Sequence, residues 1–389
     1  SLRGTKLTTV INVYGLSRRR RDRDGTIRLI RPGRCLGMFL TTETDFGLAM
    51  LREVPLNASV VVSPISVIFS LAVLQAGARG KTKVEIDELF AKGAREDSIT
   101  NYLSNLSSEI LNTTDGVQTR IANGFFPEFD IKKDYKERII NQYHAKVEAL
   151  DFHKAEETAK TINDFVDETT KGKIHDLVNA DSVKDAFSLV INAIYFTADW
   201  LMKFYKSSNS KALFHSAQAS AREIEFMNDF EVHRQYAEDD EVEVLSLPYK
   251  DVSYAFNIIL PKRRFGLGST RSKLDGARIQ KLLTQLKETY VTTDFKLKDA
   301  LMNMGVTELF SDNADLTGIA SDPLLKVSEA SHKAIIEVYE EGTTAAAATL
   351  YKIVPMMAIL EKPKLFVADH PFMFLLTKNN KPLFIGQFV

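Results

Sequence analysis

No set of residues in this 389-residue chain is spaced to perform catalysis by itself. The histidines (His144, His153, His175, His215, His233, His332 and His370) are scattered, and none lies at metal-ligand spacing from another. Cys35 is the only cysteine, which excludes an internal disulfide and a thiolate metal cage. There is no G-x-S-x-G elbow, no H-E-x-x-H pair and no G-x-G-x-x-G turn. Gly77-Ala78-Arg79-Gly80-Lys81-Thr82 looks like the end of a phosphate loop, but it is too short to wrap a phosphate chain and it follows a buried helix. It reads instead as a helix C-cap at Gly77 and a turn at Gly80. An enzyme is not expected, nor a metal or a cofactor.

The segment that stands out chemically is one on which another protein could act. A strand-like run, Ala334–Tyr339, leads into Glu340, Glu341 and Gly342, a flexible hinge. Thr343, Thr344, Ala345, Ala346, Ala347, Ala348 and Thr349 follow, all small and uncharged. Alanine favours a helix here, but Gly342 and the threonine pair do not, and Pro355 would end it. As a strand, Thr343, Ala345, Ala347 and Thr349 would face one side and Thr344, Ala346 and Ala348 the other. Each could be buried between two existing strands without placing a charge inside. The segment then runs through Val354, Pro355, Met356 and Met357, apolar residues that an exposed loop has no structural reason to carry.

Elements that could position this loop can be read along the chain. Thr44–Glu53 is a predicted helix. Ser59–Val62 is a short strand, and Ser63 and Pro64 cap and start an almost wholly apolar, buried helix from Ile65 to Ala76. Further helices are expected at Lys83–Phe90, Ile99–Leu111, Lys133–Tyr143 and Ala155–Thr170. Ser188–Phe196 is apolar enough for the centre of a sheet. Strands are expected at Val242–Leu247, Tyr254–Leu260, Leu325–Tyr339, Leu365–Val367, Phe372–Thr377 and Leu383–Gln387. Helices crowd the first half and strands the second, which predicts an α+β fold with a large, mostly antiparallel sheet.

Composition agrees: 44% apolar and 26% charged residues are ordinary for a globular protein. The net charge of −1 hides an asymmetry. Residues 1–40 hold ten lysines and arginines against Asp22 and Asp24. Arg18, Arg19, Arg20, Arg21 and Arg23 could bind a polyanion or serve nuclear targeting, but a solvated, disordered extension over 1–40 is favoured. Residues 41–389 read as one continuous domain, without a linker or repeat. No run of 18 apolar residues exists, so no membrane partner is expected. No signal peptide is visible at Ser1-Leu-Arg-Gly-Thr-Lys, and extracellular and cytoplasmic locations both stay open. Asn57, Asn105 and Asn112 head three-residue glycosylation patterns that matter only after secretion.

Taken together, the motifs resemble the serpin family from about Thr44 to Val389. Glu340 through Thr349 resembles the serpin hinge. His370-Pro371-Phe372-Met373-Phe374, continuing to Pro382-Leu383-Phe384-Ile385-Gly386, resembles the carboxy-terminal signature. Ser63-Pro64-Ile65-Ser66, Asn192-Ala193-Ile194-Tyr195-Phe196 with Trp200, Thr170-Lys171-Gly172-Lys173-Ile174 and Leu247-Pro248-Tyr249 also match.

The resemblance implies a metastable serpin fold with an exposed reactive loop near the C-terminus. A serine protease would cleave the loop, which would insert as a strand and carry the esterified protease into a distorted state. Counting from the hinge in the family's pattern puts the reactive bond at Met356–Met357, with Val354 and Pro355 before it, and Met357 and Leu360 are equally plausible apolar targets. Met356 suits an elastase-like or chymotrypsin-like protease, and a cysteine protease would share the mechanism. Ser63, Ser66, Asn192 and His332 match the family's buried polar shutter, with ordinary satisfied core polar groups as the other reading, while Trp200, Tyr339 and Glu340 fall near the top of the opening. A monomer is expected. The alternative is a non-inhibitory relative: a carrier, store or binding protein.

Two departures stand out. Residues 1–40 match nothing in the family pattern. Tyr290–Phe295 reads as running straight from one helix into the next, Lys296–Met304, where the family has a strand pair. Roughly ten residues near Val291–Thr293 are absent, the length of one long or two short strands. Loss of an outer strand beside Leu325–Tyr339 would expose a sheet edge and weighs against a working trap.

Overall fold

In the computed structural model, residues 32–90, 94, 96–111, 116–184, 186, 188–205, 208–295, 332–336 and 363–389 are described. Helix α1 (Pro32–Arg52) begins well before the expected Thr44, so the extension predicted to be disordered through residue 40 gives way to helix from Pro32. Tertiary packing explains the difference: Phe39 is buried and stacks on Tyr102, with ring centroids 4.2 Å apart. Strand β1 (Val60–Val62) then leads to α2 (Pro64–Gly77). Ser63 caps α2 by accepting from the Ser66 amide, and Pro64 opens the helix as predicted. The C-cap expected at Gly77 falls instead on Ala78, and Gly80, expected in a turn, is the first residue of α3 (Gly80–Phe90), with a φ of +56°.

Helix α4 (Glu96–Leu111) precedes β2 (Val117–Pro127), a strand interrupted in sequence by Arg120, Asn123 and Gly124. Next come α5 (Lys133–Tyr143), β3 (Lys146–Val147), α6 (Ala155–Thr169), the short α7 (Ala180–Val183) and β4 (Ser188–Ala198). The second half contains β5 (Ser210–Ala217), the long β6 (Ser220–Glu238), β7 (Val242–Pro248) and β8 (Tyr254–Pro261). Helices α8 (Leu267–Lys273) and α9 (Gly276–Thr284) separate these from β9 (Lys287–Phe295). Strands β10 (His332–Ile336), β11 (Lys364–Ala368), β12 (Phe372–Lys378) and β13 (Lys381–Phe388) follow.

Among the described residues, a nine-stranded sheet has the order β1-β13-β12-β8-β7-β6-β9-β11, with β5 paired to β6. All its pairs are antiparallel except β9–β11. A four-stranded sheet has the order β10-β4-β2-β3. There β2 and β4 are antiparallel, while β10–β4 and β2–β3 are parallel. Helix α2 packs on β4 of one sheet and β13 of the other. Its Ile65 and Phe69 enter one core with Ile194, Phe196, Phe384 and Leu383. Nearly every face of α2 is apolar, so it can be covered from both sides.

The expected direct passage through Tyr290–Phe295 is corrected. These residues lie in β9, which pairs with β6 on one side and β11 on the other. An alternating Thr-rich run fits an extended strand better than a helix junction. Of the predicted strand Leu325–Tyr339, His332–Ile336 is observed and the remainder lies outside the described residues, as does the helix expected at Lys296–Met304.

Candidate functional site

The site is organised by the parallel pairing of β4 and β10, where His332 faces Asn192 and Ile336 faces Phe196. Parallel strands end at the same side of a sheet, so β10 delivers the chain towards residue 337 at the end of β4 where Trp200 follows. The hinge Glu340–Thr349, the flanking Val354 and Pro355, and the predicted bond Met356–Met357 lie outside the described residues. The described residues on either side of them are Ile336 at the end of β10 and Pro363 just before β11.

Beneath the β4–β10 junction lies a buried polar cluster. The Ser63 hydroxyl donates to the Leu383 carbonyl on β13 at 2.7 Å, tying the start of α2 to the nine-stranded sheet. The Ser66 hydroxyl donates to Asn192 Oδ1, tying the same helix to the four-stranded sheet. Ser63, Ser66 and Asn192 are buried. The structure thus brings together three of the residues singled out in sequence, and strand register places the backbone of His332 opposite the third.

Asn123 was not foreseen. It is paired in register with Asn192 on the opposite side from His332, so Asn123, Asn192 and His332 form a row across three strands. Its Nδ2 donates to the Tyr143 carbonyl at 3.0 Å. Asn123 Oδ1 and Asn192 Nδ2 are buried, with no hydrogen-bond partner among the described residues. A buried, half-satisfied polar row is unusual in a sheet interior. The available sequence signal was an asparagine inside an otherwise strand-compatible run, a residue type that strands disfavour.

Trp200 is not part of this cluster. It is 1% exposed and stacks on Tyr249 at 4.4 Å, with its ring edge-on to Phe204 and Phe256. Its backbone forms a bridge to Tyr249, joining the end of β4 to the turn after β7. Nearby, the Arg234 guanidinium lies 4.9 Å from the Phe204 ring, pairs with Asp229 and donates to the Met202 carbonyl. The aromatic cluster therefore makes a rigid top to the junction.

Downstream of the loop, β11 is held by β9 and by one long side chain. Lys364 reaches across β9 to Glu238 and passes 4.9 Å from the Tyr236 ring. Lys262 binds the other Glu238 oxygen at 2.8 Å. Hydrogen bonds from Lys262, then Lys364, hold the Glu238 carboxyl down at about 2. Among the described residues no group of metal-ligating side chains occurs, and no helix is long and apolar enough to cross a membrane.

Comparison with known proteins places this geometry. Residues 41–389 match the family model described as Serpin (serine protease inhibitor). Antichymotrypsin-2 of Bombyx mori is 32% identical over 88% of this chain and 96% of its own length. Leukocyte elastase inhibitor of Xenopus tropicalis is 32% identical over 89% of this chain and 97% of its own. The native-state crystal structure of the thermophilic serpin tengpin superposes with a TM-score of 0.73, at 25% identity, over 94% of this chain and 96% of the other.

Proposed function

We propose a function from an established membership: the chain belongs to the serpin family, and it acts as a suicide-substrate inhibitor of a serine endopeptidase. The reactive bond is Met356–Met357, and Pro355 and Val354 shape the approach. An apolar, unbranched Met356 fits elastase-like and chymotrypsin-like pockets, and the names of the two relatives point the same way. Cysteine proteases remain an arm of the test, because they too form an acyl intermediate. The chain needs no catalytic residue of its own, since the protease supplies the chemistry.

One observation carries this: β4 and β10 are paired in parallel, and the uncharged run Thr343–Thr349 follows β10 in the sequence. A chain turning back after β10 would run antiparallel to both strands. Insertion would exchange one parallel ladder for two antiparallel ones, which gains backbone hydrogen bonds and somewhat better pairing. None of the seven inserted side chains would bury a charge. Ser63, Ser66, Asn123, Asn192 and His332 form the shutter that opens, and Trp200 marks the end where Glu340 enters first. Displacing the bound protease's triad by even about 1 Å would suffice, because alignment supplies orders of magnitude in rate.

A non-inhibitory role as carrier, store or binding protein is favoured by one feature. The roughly ten residues absent from the sequence pattern near Val291–Thr293 would have supplied a strand beside Leu325–Tyr339, and its loss weighs against a working trap. Thermal unfolding before and after limited proteolysis of the loop separates the two. An inhibitor's cleaved form gains a strand, so its unfolding temperature rises by tens of degrees. An unchanged unfolding temperature would rule out insertion and leave the binding-protein role.

A further inference from the structure

α1, α4 and the hairpin of β12 and β13 meet at a buried carboxyl. Glu43 on α1 is 3% exposed, and its Oε2 accepts from the Tyr102 hydroxyl of α4 at 2.8 Å. Phe39 covers the Tyr102 ring with an interplanar angle of 8°. Lys381 of β13 places its ammonium 5.6 Å from the same ring, yet it bonds Glu109 of α4 at 2.7 Å. Lys378 of β12 stands behind, donating to the Glu109 carbonyl at 2.5 Å and to the Tyr254 hydroxyl at 2.8 Å.

The other elements around α1 direct their polar groups elsewhere. Asp45 turns to α9 and accepts from the Gly276 amide at 2.6 Å. α9 also brings the neutral Gln280 to Thr44 and to the Asn380 carbonyl. α2 and α3 turn Gln75 and Asp87 to each other, and Arg271 of α8 meets Arg52 at the far end of α1. The titratable groups facing Glu43 are therefore Tyr102 and Lys381, with Glu109 competing for the lysine.

We propose that Glu43, Tyr102 and Lys381 form a proton-operated latch joining α1, α4 and the β12–β13 hairpin. The latch is closed when Glu43 carries its proton. When the proton leaves for solvent, a buried negative charge stands beside a phenol, and it draws Lys381 away from Glu109 at the surface. The hairpin tip and α4 lose the tie that the Lys381–Glu109 pair provides.

Burial pushes the Glu43 carboxyl up from its ordinary 4.5 to about 7, against the opposing pull of the Tyr102 hydrogen bond and Lys381. An acid with a folded value above its unfolded one stabilises the fold at low pH. That stabilisation is lost as pH rises from about 4.5 through about 7 and stays lost above. Between pH 6 and pH 8 the folding equilibrium should fall about tenfold on this account.

The test uses the full chain, its Glu43→Gln variant and its Lys381→Met variant, with urea unfolding followed from pH 5 to 8. Glu43→Gln imitates the protonated state and should lack the fall that the unaltered chain shows between pH 6 and 8. Lys381→Met removes a favourable charge and should move the fall to higher pH. Infrared spectra of the unaltered folded chain give a second readout, independent of whether either variant folds. A protonated-carboxyl band present at pH 5 and lost with a midpoint near 7 supports the latch. The same fall in Glu43→Gln as in the unaltered chain, or no carboxyl band titrating near 7, overturns it.

Discussion

Replacing Ser66 by alanine removes a side-chain hydrogen bond that ties α2 to the four-stranded sheet at Asn192. Asn192 is 3% exposed, and its Nδ2 already lacks a partner among the described residues. The substitution therefore strands the acceptor Oδ1 as well, in a place water does not reach. Leaving a buried polar group unsatisfied costs about 1–3 kcal/mol. Alanine returns roughly 0.5 kcal/mol through helix propensity, because Ser66 lies in the first turn of α2. The net expected loss is about 0.5–2.5 kcal/mol, read as a lowered midpoint of the first urea transition. Asn192→Ala and the double variant complete the cycle, and a coupling of about 0.5–3 kcal/mol is expected for groups in one bond. If Ser66→Ala costs less than about 0.3 kcal/mol and the cycle shows no coupling, the row does not hold the β4–β10 junction closed.

Three further outcomes are expected. Thr343→Arg and Thr344→Arg put a charge on opposite faces of the inserting strand. At least one should turn the chain from inhibitor to substrate, since a buried unpaired charge costs several kcal/mol, and the ratio of serpin consumed to protease inhibited measures it. Met356→Arg should transfer inhibition from chymotrypsin-like or elastase-like proteases to trypsin-like ones, seen in second-order inhibition rates. Trp200→Ala should destabilise by about 3–5 kcal/mol, through loss of its packing on Tyr249, Phe204 and Phe256; urea unfolding followed by circular dichroism measures this, because the variant has no other tryptophan to report.

Elements whose signal is local were legible in the sequence. Ser63-Pro64 announces the start of α2 through its side-chain cap and fixed φ, and the apolar run from Ser188 announces β4. Strand β2 was missed because Arg120, Asn123 and Gly124 interrupt its apolar pattern, and its pairing with β4 outweighs their poor propensity. The first turns of α1 were missed because what secures them is Phe39 against Tyr102, far away in sequence. The buried cluster of Ser63, Ser66 and Asn192 could be singled out only through the family resemblance. Ser66 and Asn192 are 126 residues apart, and no periodicity joins them. Asn123 escaped even that, since its place beside Asn192 is a matter of strand register. Tyr290–Phe295 reads in sequence as a passage between two helices because roughly ten residues of the family pattern are absent there, yet it forms part of β9. The residues that remain pair with both β6 and β11.

The central claim is that a protease which cleaves the loop stays covalently trapped. The decisive measurement mixes the purified chain with chymotrypsin-like and elastase-like proteases and resolves the products on a denaturing gel, with mass spectrometry of the released peptide. The account predicts a denaturant-resistant band of the summed masses and a released peptide beginning at Met357. Clean cleavage at Met356–Met357 with the protease left fully active would contradict it.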